Sequence, residues 1–132
     1  MPFVNSQGPL PGLDFAVPDV YLQPPLMVPV PFMSMGFRAT YIPVCFRFLL
    51  TCMPSHNMIS RTPVTISGPG PGVASGMVCS ESDNPKGSVK LFIQVMPATR
   101  ALMDPTTQNG IAGNSIGLPI VPSQIRLLNP SG

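Results

Sequence analysis

The stretch FRFLLTCMPSHNM, from Phe46 to Met58, recurs forty-three positions later as VKLFIQVMPATRA, from Val89 to Ala101. Each copy has an apolar run with a basic residue in second place, then Met-Pro and a short polar tail. Cys52 in the first copy corresponds to Val95 in the second. An internal repeat indicates architecture before any single motif does. We therefore expect the two Met-Pro pairs to occupy equivalent places, related by a rotation of about 120°, and not to pair as one hairpin.

Proline and glycine decide the fold class. The chain of 132 residues contains 19 Pro and 12 Gly, and its longest interval free of both is Val44–Met53. Pro costs about 3 kcal/mol and Gly about 1 kcal/mol inside a helix, and short helices are marginal in water. The sequence predicts an all-β, short-stranded fold with little or no helix, and no helix longer than about two turns outside residues 1–20.

The predicted elements follow the apolar runs between these breakers. Residues 1–20 are expected to be irregular; residues 1–14 are taken as a leader and residues 15–132 as one domain. Pro29 and Pro31 stand two apart, so their segment is predicted to be an edge strand or polyproline-II. The segments so assigned are the edge segment Met27–Phe32, the strands Val44–Met53, Arg61–Ile66, Ser88–Met96 and Ser123–Leu128, and a sharp corner or rigid loop at Gly68–Gly72.

Charge and composition exclude several functions. The net charge is +2, only 9% of residues are charged, and the basic residues form no run, which argues against nucleic-acid binding. A membrane-spanning helix needs about 20 apolar residues, and no such stretch occurs. The first residues lack a basic start followed by an apolar core, so no signal peptide is predicted.

His56 is the single histidine, so any histidine chemistry must centre on it. It is interpreted as a loop or turn residue, a metal ligand or a catalytic base. Cys52 or Cys79 would be helper ligands, although zinc-site spacings such as CxxC are missing. Cys52 and Cys45 are otherwise expected to be small buried residues. The nine methionines fill the core or form an adaptable docking surface.

Five collinear segments resemble PAAR-like proteins, which form the tip of the type VI secretion spike. The opening with its PDV and PVPF, the MPSHN turn, the GVASG segment, the MPATR run and the VPSQ ending all have family counterparts in order. These segments are Phe15–Phe32, Cys52–Met58, Gly68–Val78, Val95–Asn109 and Ile120–Leu128.

The chain also departs from the family pattern. Cys52 and Val95 stand where the family usually has Gly, and Gly would permit a turn geometry that β-branched Val resists. The family's apical zinc rests on His and Cys ligands, but Tyr21, Asn84 and Ser115 occupy positions where the family often has Cys or His. Only His56 matches a likely ligand position. The resemblance therefore implies either no cofactor or zinc held at His56, with Cys52 or Cys79 as helpers.

The resemblance implies a pseudo-three-fold cone that caps a trimeric VgrG protein, one tip per trimer, and no enzymatic activity. The repeats would form two sides, and Met27–Phe32 or Ser123–Leu128 the third. The several Met residues and the two long strands are expected at its wide base. Cargo, a bacterial effector, would bind non-covalently, because no toxin domain follows in this sequence. Such a tip would assemble in the bacterial cytoplasm and leave through the machine without a signal peptide.

Two alternatives remain open at the level of sequence. One is a tip of a phage-tail-like or extracellular contractile injection machine. The other is a small secreted hydrolase centred on His56, which the single histidine and the lack of paired acids disfavour.

Overall fold

The structure, a computed structural model, describes residues 2–129. This part of the chain consists of short strands and a single 3-10 turn. The all-β prediction is confirmed, because the longest helical element among these residues spans only Arg38–Thr40. The strands are β1 Leu13–Gln23, β2 Val28–Phe37, β3 Cys45–Leu50, β4 Met53–Ser55, β5 Phe92–Ile93, β6 Met96–Pro97, β7 Thr106–Gln108 and β8 Ser115–Val121.

Four of the strands form one antiparallel sheet in the order β2-β1-β8-β7. β2 lies at the edge, where Pro29 and Pro31 remove no inner ladder bond. The edge-strand prediction is confirmed, and the strand continues to Phe37. The prediction that the chain stays irregular to residue 20 is wrong, since β1 begins at Leu13.

The two sequence repeats form two separate hairpins. β3 pairs with β4, and β5 pairs with β6, each across a two-residue turn. All four turn residues have positive φ: Thr51 +51°, Cys52 +64°, Gln94 +50° and Val95 +71°. This is the signature of a type I′ turn. The segments predicted as long single strands are therefore hairpin arms with their turns, and the two Met-Pro pairs begin two different return strands.

A third copy of the hairpin is assembled from the two ends of the described chain. The amide of Val4 donates to the carbonyl of Leu127 (3.1 Å), as the amide of Ala98 donates to Leu91 (2.9 Å) in the second repeat. The amide of Asn129 donates to the carbonyl of Pro2 (3.0 Å) at the place where the other hairpins have their turn. We call this third hairpin open, because its two arms are far apart in sequence.

The return arms of the three hairpins meet in a closed ring of backbone hydrogen bonds. The amide of His56 donates to Asn5 (2.9 Å), that of Asn5 to Thr99 (2.9 Å), and that of Thr99 to His56 (3.4 Å). A second cycle of bonds runs in the opposite direction around the arms, from Gln7 to Pro54 (3.0 Å), from Met58 to Pro97 (3.0 Å) and from Ala101 to Phe3 (2.8 Å). Three equivalent segments, each bonded to the next, form a pseudo-three-fold arrangement; the rotation of about 120° stays a prediction.

The ring identifies the third side of the molecule. Ser123–Leu128 contributes to it, as one of the two sequence proposals stated, but makes only a bridge from Leu128 to Phe3 and no strand. Met27–Phe32, the other proposal, lies in the four-stranded sheet. The other arm is residues 2–7, which were predicted to be irregular leader and instead include the fully buried Val4. The division into a leader of 1–14 and a domain of 15–132 has no further support here, because Leu13 and Asp14 already belong to β1.

Two further element predictions have different outcomes. Arg61–Ile66, predicted as a strand, makes only isolated bridges, to Ile42, Ser82 and Met35. Gly68–Gly72 is a loop, as one of its two alternatives stated, and it lies along β1, where the amide of Leu22 donates to Pro71 (2.9 Å). A Cβ at Gly70 would lie 1.8 Å from the carbonyl oxygen of Leu22, so only glycine fits this close approach.

The interior is small and unusually polar. The apolar cluster consists of Val4, Cys45, Ile93 and Ala98. Buried ion pairs join Arg38 to Asp14 (2.7 Å) and Arg100 to Asp104 (2.8 Å). Within residues 2–129, no helix has the length and apolar character needed to cross a membrane.

Candidate functional site

Three different side chains stand at equivalent positions of the ring. Asn5, His56 and Thr99 are all buried, and their side-chain polar atoms have no hydrogen-bond partner in the part of the chain that the structure describes. His56 follows β4 directly and lies in no strand, in agreement with its interpretation as a loop residue, but its side chain is completely buried. The signal that would have found its position is the alignment of His56 with Thr99 in the repeat.

His56 is held by a buried column of side chains that leads to β1. Its ring stacks on Tyr41, with centroids 5.0 Å apart and 22° between planes. The guanidinium of Arg38 lies 4.5 Å from the Tyr41 ring centroid. The hydroxyl of Tyr41 donates to Asp14 (2.7 Å), and Arg38 donates to the other oxygen of that carboxylate. The 3-10 turn and β1 thus position the imidazole from one side.

The charges of this column keep His56 neutral. Burial lowers the pKa of His56 well below its ordinary value, and the nearby charge of Arg38 lowers it further. Burial opposes the charge of Arg38, but the Asp14 carboxylate raises the pKa of Arg38 overall. Burial also raises the pKa of Asp14, against the lowering effects of Arg38 and Tyr41. The guanidinium of Arg38 stays protonated at any ordinary pH, so the ion pair between Arg38 and Asp14 is ionised near neutrality.

The donors around His56 do not fit a zinc site. Structural zinc takes four nitrogen or sulfur ligands. In the described part of the chain, no three His, Cys, Asp or Glu side chains lie together as a metal-holding group. The equivalent ring positions hold a carboxamide and a hydroxyl, on Asn5 and Thr99, and neither group is a usual ligand of structural zinc. The proposed helpers lie elsewhere: Cys52 is exposed in the first hairpin turn and Cys79 contacts Ser67. Whether the protein carries zinc stays a prediction.

The same geometry offers no support for hydrolysis at His56. A catalytic base needs a hydrogen-bonded nucleophile or a route to substrate. Both ring nitrogens of His56 are buried without a hydrogen-bond partner among residues 2–129. What this residue does in the structure is stack on Tyr41.

The outer sides of the three hairpins carry similar side chains at equivalent positions, whereas the ring carries different ones. Two sets of equivalent positions are exposed and apolar. The first set is Phe46 (69% exposed), Val89 (70%) and Ile125 (64%). The second set is Leu49 (56%), Phe92 (57%) and Leu128 (42%). We call these six residues the apolar triplets. Similar exposure at equivalent positions makes this surface three-fold in chemistry as well as in backbone.

Local hydrogen bonds confirm that the outer arms are equivalent. Ser88 Oγ accepts from the amides two and three residues further on (both 3.3 Å). Gln124 Oε1 accepts from the corresponding two amides (2.6 and 2.8 Å). Cys45 occupies the same place in the first hairpin and is likewise buried, as predicted for it. The outer arms of the second and third hairpins differ in sequence, but they hold the backbone of Lys90 and Arg126 in the same way.

The hairpin turns carry backbone strain at their tips. Val95 is 89% exposed with φ +71°, a region that β-branched residues strongly disfavour. Cys52 holds the same position in the first hairpin, so the expectation that it is a buried residue is wrong. Both residues stand where the sequence comparison expected glycine, and the observed φ angles explain that expectation.

The methionines do not fill the core. Of the eight in the described residues, Met27, Met33, Met53, Met77 and Met103 are exposed and Met35, Met58 and Met96 are half-buried. Met53 and Met96 directly follow the two hairpin turns. The core-filling interpretation is therefore wrong. Whether the methionines lie at a base that meets a partner stays a prediction.

Comparison with known proteins supports the resemblance seen in the sequence. A family model, the Toxin PAAR-like domain, matches residues 12–117. No curated protein and no solved structure matches significantly. The matched range contains both closed hairpins and the four-stranded sheet except the second half of β8, whereas both arms of the open hairpin lie outside it. Since the model matches more than half of the chain, the chain belongs to the Toxin PAAR-like domain family.

Proposed function

We propose that this PAAR-like protein is the structural tip that caps the trimeric VgrG spike of a type VI secretion system, with one tip per trimer. The observation that supports the proposal is the set of apolar triplets, repeated on three equivalent hairpins. A partner made of three identical chains presents each of its surfaces three times. A single chain can match such a partner only by building three similar surfaces of its own.

The energetics favour a covered face. Monomeric proteins rarely expose large contiguous apolar patches, and larger ones mark interaction sites. All six members of the apolar triplets are at least two-fifths exposed. The residues within each set differ in type, but all of them are apolar. This pattern suits a tip whose three non-identical arms meet three identical spike chains. Met53 and Met96 beside the turns add adaptable contacts, because Met is unbranched and polarizable.

A tip of this kind works mechanically. The ring links the three arms by backbone hydrogen bonds, so load on one arm passes to the other two. We propose that the protein assembles with the spike in the bacterial cytoplasm and leaves with it through the machine. An effector would be carried by non-covalent contact with the tip. No residue is assigned a catalytic role.

The test is reconstitution with the spike. The chain is co-expressed with a VgrG trimer, and the stoichiometry of the purified complex is measured by native mass spectrometry. We expect one tip for three spike chains. Leu49→Asp, Phe92→Asp and Leu128→Asp should each weaken the complex at least about tenfold, because each buries a charge in an apolar contact.

A matched control is Ile116→Asp on β8, because Ile116 is 72% exposed but lies outside the three hairpins. This variant should bind the spike as the wild type does. A soluble monomer that binds no trimeric spike would overturn the proposal. Binding to the trimeric spike of a phage tail or extracellular injection machine, but not to VgrG, would assign the tip to that machine.

A further inference from the structure

The exposed positive charges of the protein lie in the same three-fold pattern as the apolar triplets. Of the seven Lys and Arg residues, Arg38, Arg61 and Arg100 are in ion pairs. The other four are exposed and make no ion pair within residues 2–129: Arg47, Lys86, Lys90 and Arg126. Three of these four, Arg47, Lys90 and Arg126, occupy equivalent positions of the three hairpins. We call them the basic triplet.

Nothing on the hairpins neutralises these charges. Residues 2–7, 45–58, 88–103 and 123–129 contain no Asp or Glu. The acidic residues lie elsewhere, and two of the five are buried against Arg38 and Arg100. The hairpin face is therefore apolar with three positive charges and no negative one. An uncompensated, symmetric charge pattern complements a partner of opposite charge with the same symmetry.

We infer that each member of the basic triplet binds a carboxylate of one spike chain, so that the trimer presents a ring of three acidic groups to the tip. The inference rests on the proposed function, because the three-fold partner is what makes three equivalent cations useful. The apolar triplets exclude water, but apolar contacts are not directional. The three ion pairs define how far the tip is rotated on the trimer.

The pattern favours a protein partner over a phosphate surface. A membrane or nucleic acid selects for a dense basic patch without a fixed geometry. Here each hairpin carries one exposed, unpaired cation, which is Arg in two of the hairpins and Lys in the third. A point charge at a fixed place is all that a single carboxylate requires, whereas Arg adds bidentate geometry at two of the sites.

The experiment measures the dissociation constant of the tip and the VgrG trimer by biolayer interferometry at 50, 150 and 500 mM NaCl. The variants are Arg47→Glu, Lys90→Glu, Arg126→Glu, the triple Gln variant and the control Lys86→Glu. Each single reversal should weaken binding by a similar factor, roughly three- to tenfold at 150 mM NaCl. Lys86→Glu makes the same charge change outside the triplet and should stay within about twofold, as expected for a charge away from the contact.

Salt dependence separates this inference from the proposed function. Wild-type binding should weaken as NaCl rises, whereas the triple Gln variant should be nearly insensitive to salt. All variants are checked for an unchanged thermal unfolding midpoint, so that folding defects are excluded.

If wild type and the triple Gln variant bind alike while Leu49→Asp does not bind, the inferred role of the basic triplet is wrong and the capping function stands. If wild type does not bind any spike, the function itself fails. Binding to phosphatidylserine vesicles that is lost in the triple variant, with VgrG binding unaffected, would also overturn the inference.

Discussion

The inner and outer sides of the three hairpins obey different rules. On the inside, equivalent positions hold Asn5, His56 and Thr99, which are all polar but differ in size and shape. On the outside, equivalent positions hold Arg47, Lys90 and Arg126, which share their charge. The inner positions break the symmetry, and His56 stacks on Tyr41. The exterior keeps the symmetry, which is expected where the neighbour is itself symmetric.

The largest loss of stability is expected from a charge placed on the inner side of a hairpin. Val4 is completely buried in the open hairpin, so Val4→Asp should lower the free energy of unfolding by roughly 3 kcal/mol or more. Urea denaturation measures this loss. A change below about 1 kcal/mol would mean that the first residues are dispensable for the ring.

Acid should weaken the inner side through His56. Because the pKa of His56 is lowered on folding, the unfolded chain takes up a proton below about pH 6.5 while the folded chain does not. The stabilisation is complete above that pH, and the free energy of unfolding then falls by up to about 1.4 kcal/mol per pH unit.

The measurement compares wild type with His56→Gln by urea denaturation from pH 7.5 to 5. The comparison is needed because Asp14, whose pKa is raised, acts in the opposite direction; Arg38 and Tyr41, which face His56, do not titrate in this range. Parallel stability curves for the two proteins would contradict a buried neutral histidine.

The hairpin tips should gain stability from glycine. Val95→Gly removes a β-branched residue from positive φ and should raise the free energy of unfolding by about 1 kcal/mol. Val89→Gly is the matched control, because Val89 is similarly exposed but does not have positive φ. It should be neutral or destabilising. If both variants lose stability equally, the turn is not strained.

The smallest effect on folding is expected on the outer side. Ile125→Asp should change the free energy of unfolding by no more than about 0.5 kcal/mol, because Ile125 is mostly exposed. The same variant should weaken spike binding. A stability loss as large as that of Val4→Asp would mean that the outer side is structural and would remove the contrast with the inner side.

Much of this arrangement was predictable from the repeat. The repeat predicted that its two copies form separate units and do not pair with each other as one hairpin, and the proline and glycine content excluded helices. Pro29 and Pro31 identified the edge strand, since a residue without an N–H is tolerated there. The glycine-like turn positions Cys52 and Val95 were also recognised from their departure from the family pattern.

The remaining features depend on contacts that are distant in sequence. β8 was missed because Gly117 and Pro119 normally interrupt strands. Gly117 fits because a Cβ there would lie 2.8 Å from the Phe15 carbonyl oxygen. Pro119 is tolerated because β7 pairs only with the first half of β8. The open hairpin was missed because its arms come from opposite ends of the chain, although IRLLN carries its basic residue in the same place as FRFLL and VKLFI.

The open hairpin has a consequence for the order in which the molecule is made. The first two hairpins close loops of two residues, and such hairpins form in about 1–10 μs. The third joins Val4 to Leu127, so it needs nearly the whole chain before it can form. Translation delivers its second arm roughly 120 residues after the first, at roughly 5–20 residues per second. All three return arms of the ring have been made once residue 101 is synthesised, so a nascent chain holds two finished hairpins and the ring while the segment around Val4 waits several seconds for its outer arm.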